Sequence, residues 1–221
     1  MEPVRLIAAL GNPGPRYGDT RHNLGFMLAD RLIELGRERK SMHLTRLDGS
    51  DDCEVWRLHL GGAPRILVKP LTYMNLSGDA VARVAGRESI RAEEILVVHD
   101  DLDLGLGRIK LKRGGSSGGH KGVDSIEQRL GSAGFWRLRL GIGRPPQYSP
   151  VEQYVLEPFA KDEAGLVAEV LADALKGLEI MFRRGPQAAQ QHLHPLREEA
   201  RDKPSEGPEP PDDEKESPSS S

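Results

Sequence analysis

The chain has 221 residues, with 31 Lys or Arg against 34 Asp or Glu and a formal charge of −3. A negative total argues against a polyphosphate partner, and no apolar run approaches the roughly 20 residues that a membrane span requires. Cys53 is the single cysteine, which excludes an internal disulfide framework and a Cys-based zinc site and fits a cytoplasmic protein.

Residues 4–10 form the first apolar run. They read as a buried strand, not a secretory signal, because they run straight into a Gly/Pro turn without a cleavage pattern. Residues 11–21 are rich in Gly and Pro and form a loop. Apolar residues then recur at helical spacing from His22 or Asn23 to a stop at Gly36. Residues 53–60 and 65–69 are strands of a hairpin turned by Gly61-Gly62. Residues 76–85 are helical, and Ile95-Leu96-Val97-Val98 is a central strand, apolar on both faces. Residues 108–112 alternate, 121–130 are helical, 137–142 alternate again, and Val167, Val170, Leu171, Ala174, Leu178 and Met181 mark a last amphipathic helix ending near Gly185. Strands interleaved with helices imply a single α/β domain, a mixed twisted β-sheet surrounded by helices.

From Arg197 onward there is no Leu, Ile, Val, Phe, Tyr or Trp, and five prolines and closing serines appear. Such a segment cannot bury enough apolar surface to offset its ordering entropy, so residues 197–221 are expected to be a disordered acidic tail behind a folded body of residues 1–196.

The tail also changes the meaning of the total charge. It holds 4 basic and 9 acidic residues, so the body carries +2. Within the body, residues 105–145 hold 9 basic residues against Asp124 and Glu127. The two-residue period of a strand places Arg108, Lys110 and Lys112 on one face and pairs Arg137 with Arg139. Adjacent like-charged strands repel, and a bound phosphate backbone would offset that repulsion. Few aromatics lie nearby, so backbone and shape recognition is expected ahead of base readout.

Rare polar residues collect beside strand ends: Asn12 after the first strand, His22 and Asn23 opening the first helix, Asn75 after the hairpin, and His99-Asp100-Asp101 closing the central strand. Ligands of α/β sheets bind at strand ends. A histidine with a carboxylate partner can act as general base, and side-chain amides can hold a water or an oxyanion. There is no G-x-S-x-G elbow, which leaves direct attack by water. Two other readings are weaker. His99-Asp100 alone lacks the further ligands that a metal-dependent hydrolase needs. Gly11-Asn12-Pro13-Gly14 lacks the Lys-Ser/Thr pair of a P-loop.

The strings GNPGPRYGDTRHNLGF, KPLTYMNLSG, HDDLDLGLGRIKLKRGGSSGGHKG and FWRLRLGIGRP resemble, in order and spacing, those of the bacterial-type peptidyl-tRNA hydrolase family. The resemblance implies an α/β monomer that hydrolyses the ester between peptide and tRNA in peptidyl-tRNA. It implies no cofactor and no metal, and the release of tRNA from stalled translation. By the same resemblance His22 is the catalytic base, Asp100 its orienting carboxylate, and Asn12 and Asn75 the positioning amides. Tyr17, Met74, His120 and Lys121 fall on substrate-binding positions, and Lys110, Lys112 and Arg139 on positions that take tRNA phosphates. One residue departs from the pattern: the family usually has Asn where this chain has Lys121. Lysine is a longer, charged, donor-only side chain. The alternative is therefore a tRNA-binding relative with weakened catalysis, but the presence of base, carboxylate and both other amides favours an active enzyme.

Overall fold

The apolar runs become the inner strands of one seven-stranded sheet. In a computed structural model, which describes residues 3–47, 50–146 and 149–194, the strands are β1 (Leu6–Ala9), β2 (Thr45–Leu47), β3 (Cys53–Leu60), β4 (Ala63–Pro70), β5 (Ile95–Asp101), β6 (Ile109–Arg113) and β7 (Trp136–Gly141). Their spatial order is β2-β3-β4-β1-β5-β7-β6. The inner strands β4, β1, β5 and β7 run parallel, while β2, β3 and β6 pair antiparallel at the flanks. The expected mixed sheet is thus present. The tail at 197–221 and its boundary with the body lie outside the described residues.

The helices are α1 (Leu24–Glu38), α2 (Ser77–Arg87), α3 (Lys121–Leu130), α4 (Val151–Val155), α5 (Ala164–Arg184) and α6 (Pro186–Leu193). Strand periodicity sorts the core into two layers. Ile7, Ala9, Leu96 and Val98 face α1 and α5, whereas Leu6, Ala8, Ile95 and Val97 face α2 and α3. Fully burying each such aliphatic side chain contributes about 1.5–3 kcal/mol, so both sheet faces must be covered.

Local sequence explains several boundaries. Gly61 and Gly62 adopt φ of 65° and 84°, the left-handed pair that a tight hairpin turn requires. The helix α3 runs from a His120 cap to Gly131, as its sequence predicts. By contrast α1 continues through Gly36 to Glu38. Gly36 does not stop the helix; it makes room for Leu44, whose side chain would lie 3.1 Å from an added Cβ. Two short elements, β2 and α4, carry too few residues for a periodic signal.

The chain leaves β1 through α1 on one face, and β4 connects to β5 through α2 on the other. The carboxyl ends of β1, β4, β5 and β7 therefore open onto a common rim at a switch in strand order, where α/β sheets bind ligands. The start of α1 is pressed onto this rim: a Cβ at Gly25 would come within 2.5 Å of Leu10 O and 2.7 Å of Val98 O. No described helix is long and apolar enough to cross a membrane.

Candidate active site

Asn12 and Asn23 stitch the two ends of the loop that follows β1. Asn12 N–H donates to Asn23 Oδ1 (2.8 Å), and Asn23 Nδ2 donates to the Asn12 carbonyl (2.9 Å). This fixes the 3₁₀ turn Arg21–Asn23 that carries His22. Asn23 sits at the N-cap position of α1 but makes no side-chain cap bond there; its side chain is half of this clamp. A third segment is tied in because Met74 N–H donates to Asn12 Oδ1 (2.9 Å). With its oxygen committed to Met74, Asn12, which lines the cleft, has its amide NH₂ left as a donor.

His22 Nδ1 reaches Asp100 Oδ1 and Oδ2 at 2.9 and 3.1 Å. His120 Nε2 reaches the same Oδ1 at 2.9 Å. The His120 tautomer follows from its other nitrogen. Nδ1 accepts the backbone N–H groups of Gly122 and Val123 (3.2 and 3.3 Å) at the start of α3, so Nε2 carries the proton and donates to Asp100. Asp100 is 2% exposed. Burial opposes its charge, yet His22 and His120 beside it hold its carboxyl well below the usual carboxylate range. A buried carboxylate facing Nδ1 places the His22 proton there and leaves the Nε2 lone pair for another partner.

His99, next in the strand, is buried and turned the other way. Its Nδ1 donates to the Asp100 carbonyl (2.7 Å), and its Nε2 has no partner among the described residues. Burial pushes its pKa down to about 3. An unfolded histidine titrates near 6.5, so between these values the unfolded chain binds the extra proton. Stability therefore falls as pH drops from about 6.5 toward 3, by up to about 1.4 kcal/mol per pH unit for this group. His99→Asn keeps a donor for the carbonyl and removes the titration. Urea melts between pH 4 and about 6.5 should give a shallower stability slope for the variant, and equal slopes would remove His99 as the acid-sensitive group.

The cleft has a volume of about 410 Å³, and all eight predicted catalytic and substrate-binding positions line it: Asn12, Tyr17, His22, Met74, Asn75, Asp100, His120 and Lys121. Met74 is buried in its floor, and Asn75 is exposed at its rim. His120 serves Asp100 and the cap of α3 as well as the wall. Lys121 pairs with the cleft's other wall, its Nζ 2.6 Å from Glu152 Oε1 on α4. That opposite wall, with Val151, Val155 and Leu156, escaped the sequence reading; the signal was only the apolar pair Val151 and Val155 one helical turn apart.

Lys110, Lys112 and Arg139 lie outside the cleft lining, on the β6–β7 sheet face. Lys110 pairs in register with Arg139, and Lys112 with Arg137. The four cations are not equivalent. Arg137 is 1% exposed and bound to Glu127 (2.5 Å) and Ser116 O (2.7 Å), so it is structural and leaves the expected open basic face. Arg139 is mostly buried and holds Asp101 (2.5 Å), the residue after Asp100. Lys110 is exposed, and Lys112 is half-buried. Burial and the charges of Arg139 and Arg137 lower the Lys112 pKa.

His22, Asp100 and His120 also bring three potential metal-ligand atoms within 4.8 Å of one another. They fit a hydrogen-bonded triad better than a metal cage. To ligate through Nε2, His120 would need its proton on Nδ1, where two backbone N–H donors already point.

Fold and cleft together define an α/β protein with a hydrolase-type His–Asp pair beside a cationic sheet edge. Comparison with known proteins makes this specific. A family model described as peptidyl-tRNA hydrolase matches residues 6–203, and the chain belongs to that family. It is 47% identical over 194 residues to a peptidyl-tRNA hydrolase of Maridesulfovibrio salexigens, covering 88% of this chain and 95% of that protein. A Rhodococcus opacus peptidyl-tRNA hydrolase is 45% identical over 196 residues, covering 87% and 99%. The crystal structure of an Arg119Gln mutant of the Acinetobacter baumannii peptidyl-tRNA hydrolase superposes with a TM-score of 0.81 at 32% identity, covering 89% of this chain and 97% of that one.

Proposed function

We propose that this chain, as a cytoplasmic monomer, hydrolyses the ester that joins a peptide to the 3′ ribose of tRNA, recycling tRNA from stalled or aborted translation. The observation that carries the proposal is the His22 imidazole, held through Nδ1 by buried Asp100 with Nε2 free to take a proton. His22 accepts a proton from water as that water attacks the ester carbonyl, and Asp100 stabilises the imidazolium that forms. The tetrahedral intermediate expels the ribose 3′ oxygen, and His22 returns the proton to it. Asn12 and Asn75 donate to the water or the developing oxyanion. Tyr17 and Met74 pack the peptide end. His120 positions Asp100 and, with Lys121, borders the substrate.

Lys110, Lys112 and Arg139 take phosphates of the tRNA acceptor stem and 3′ end, with Arg139 linking that face to the active site through Asp101. Residues 1–196 form the enzyme body, and 197–221 are a separate acidic tail. The binding-only alternative is disfavoured because Lys121 turns to Glu152 and leaves the His22, Asp100 and Asn12 geometry undisturbed. The test is hydrolysis of N-acetylated aminoacyl-tRNA in excess chelator. Turnover should persist, and unblocked aminoacyl-tRNA should be spared. Loss of turnover on adding chelator, or tRNA binding without any product under excess enzyme, would overturn the proposal.

A further inference from the structure

The cationic edge of the sheet and the C-terminal segment meet at one point of the fold. The helix α6 lies against β6, where Gln190 Nε2 donates to Leu111 O (3.0 Å). His194, the last described residue, follows directly. Its pKa is lowered by burial and by the neighbouring charges of Lys110 and Arg108. The chain therefore leaves the described body beside the strand that carries Lys110 and Lys112. Neither of these lysines has an ion-pair partner among the described residues. The other two cations of that face are satisfied from within, Arg137 by Glu127 and Arg139 by Asp101.

The charge of the following sequence is unevenly placed. Residues 197–203 hold 3 basic and 3 acidic residues, whereas 204–221 hold 6 acidic residues and Lys215 alone. The acidic stretch, 206–216, begins 12 residues beyond His194, a reach of up to roughly 40 Å of extended chain. Length thus does not keep it from the β6–β7 face. A tether of this order sets a local concentration in the millimolar range, which individually weak surface carboxylate–ammonium pairs need.

We propose that residues 206–216 dock on the Lys110/Lys112 face when no RNA is bound and compete there with RNA phosphates. The competition rests on the proposed use of this face for tRNA; the docking does not. A polyanion that releases condensed counterions displaces carboxylates readily, so a cognate tRNA held at several points replaces the tail, while a loosely held RNA does not. The tail raises KM and leaves kcat unchanged, because it touches neither His22 nor Asp100.

Docking is tested in the full chain with a spin label on Ser217→Cys, Cys53 being buried. Amides of Lys110, Leu111 and Lys112 should broaden at low salt and recover near 0.5 M salt, where the Debye length falls below about 5 Å. They should also recover when Glu206, Glu209, Asp212, Asp213, Glu214 and Glu216 are replaced together by their amides. Absence of broadening on β6, or broadening indifferent to those charges, would overturn the docking. Competition is read by tRNA binding: the neutralised chain should bind about threefold to tenfold tighter at low salt, the two converging at high salt. Equal affinities at low salt would overturn the competition. No RNA binding by either chain, with broadening intact, would overturn the RNA reading of the face and leave the docking standing.

Discussion

Replacing His22 by alanine lowers turnover on a peptidyl-tRNA ester by about 10²–10⁴-fold, the range that general-base catalysis supplies. The tRNA affinity should stay within about twofold, because phosphate contacts dominate RNA affinity and the face proposed for them, β6–β7, is separate from His22. Folding is not at risk: His22 is only partly buried, and the turn that carries it is held by Asn12 and Asn23. Single-turnover hydrolysis with enzyme in excess separates chemistry from binding. Unchanged single-turnover rates would remove His22 from the reaction, whereas a loss confined to KM would make it a binding residue.

Asp100→Asn is the second large effect, and its cause is geometric. Asp100 accepts from two imidazole N–H donors at once, His22 Nδ1 and His120 Nε2. Asparagine offers one oxygen and one donor, so one histidine meets an NH₂ group where it had an acceptor. His120 cannot move its proton to Nδ1, which faces Gly122 and Val123 N–H. His22 is the one able to change tautomer, and doing so places its proton on Nε2 and removes the lone pair proposed to take the proton from water. Turnover should again fall by about 10²–10⁴-fold. The buried network should lose about 1–3 kcal/mol as one polar group goes unsatisfied. The variant is assayed below its melting temperature, with tRNA binding as the control for folding. Retained turnover would show that Asp100 does not set the His22 tautomer.

Much of this architecture could be read from residue patterns, and the exceptions have definite causes. Ile95-Leu96-Val97-Val98 could only be a strand buried on both faces, and Gly61-Gly62 only a tight turn, because each rests on local chemistry. The His120–Asp100 bond joins residues 20 positions apart; no local pattern encodes it, and the resemblance placed His120 only at the substrate. Arg137 was misjudged for a related reason. Strand periodicity puts it on the face of Lys110 and Lys112, but α3 supplies Glu127 as its partner there. Gly36 looked like a helix stop because a glycine needed for close packing against Leu44 has the same letter as one needed for a left-handed turn.

The Asn12–Asn23 clamp has a consequence for how the protein fails. Phe26 N–H donates to Leu10 O (3.1 Å) and Leu10 N–H to Val98 O (2.9 Å), so the turn bearing His22 is pinned at both ends to the central strands of the sheet. Active-site loops are often the first part of a protein to open, because few buried contacts restrain them. Here the imidazole hangs from the same cooperative unit as β1 and β5, with Asp100 itself in β5. Heating should therefore not produce a folded but inactive form with a loosened catalytic loop; inactivation and unfolding of the sheet are one event.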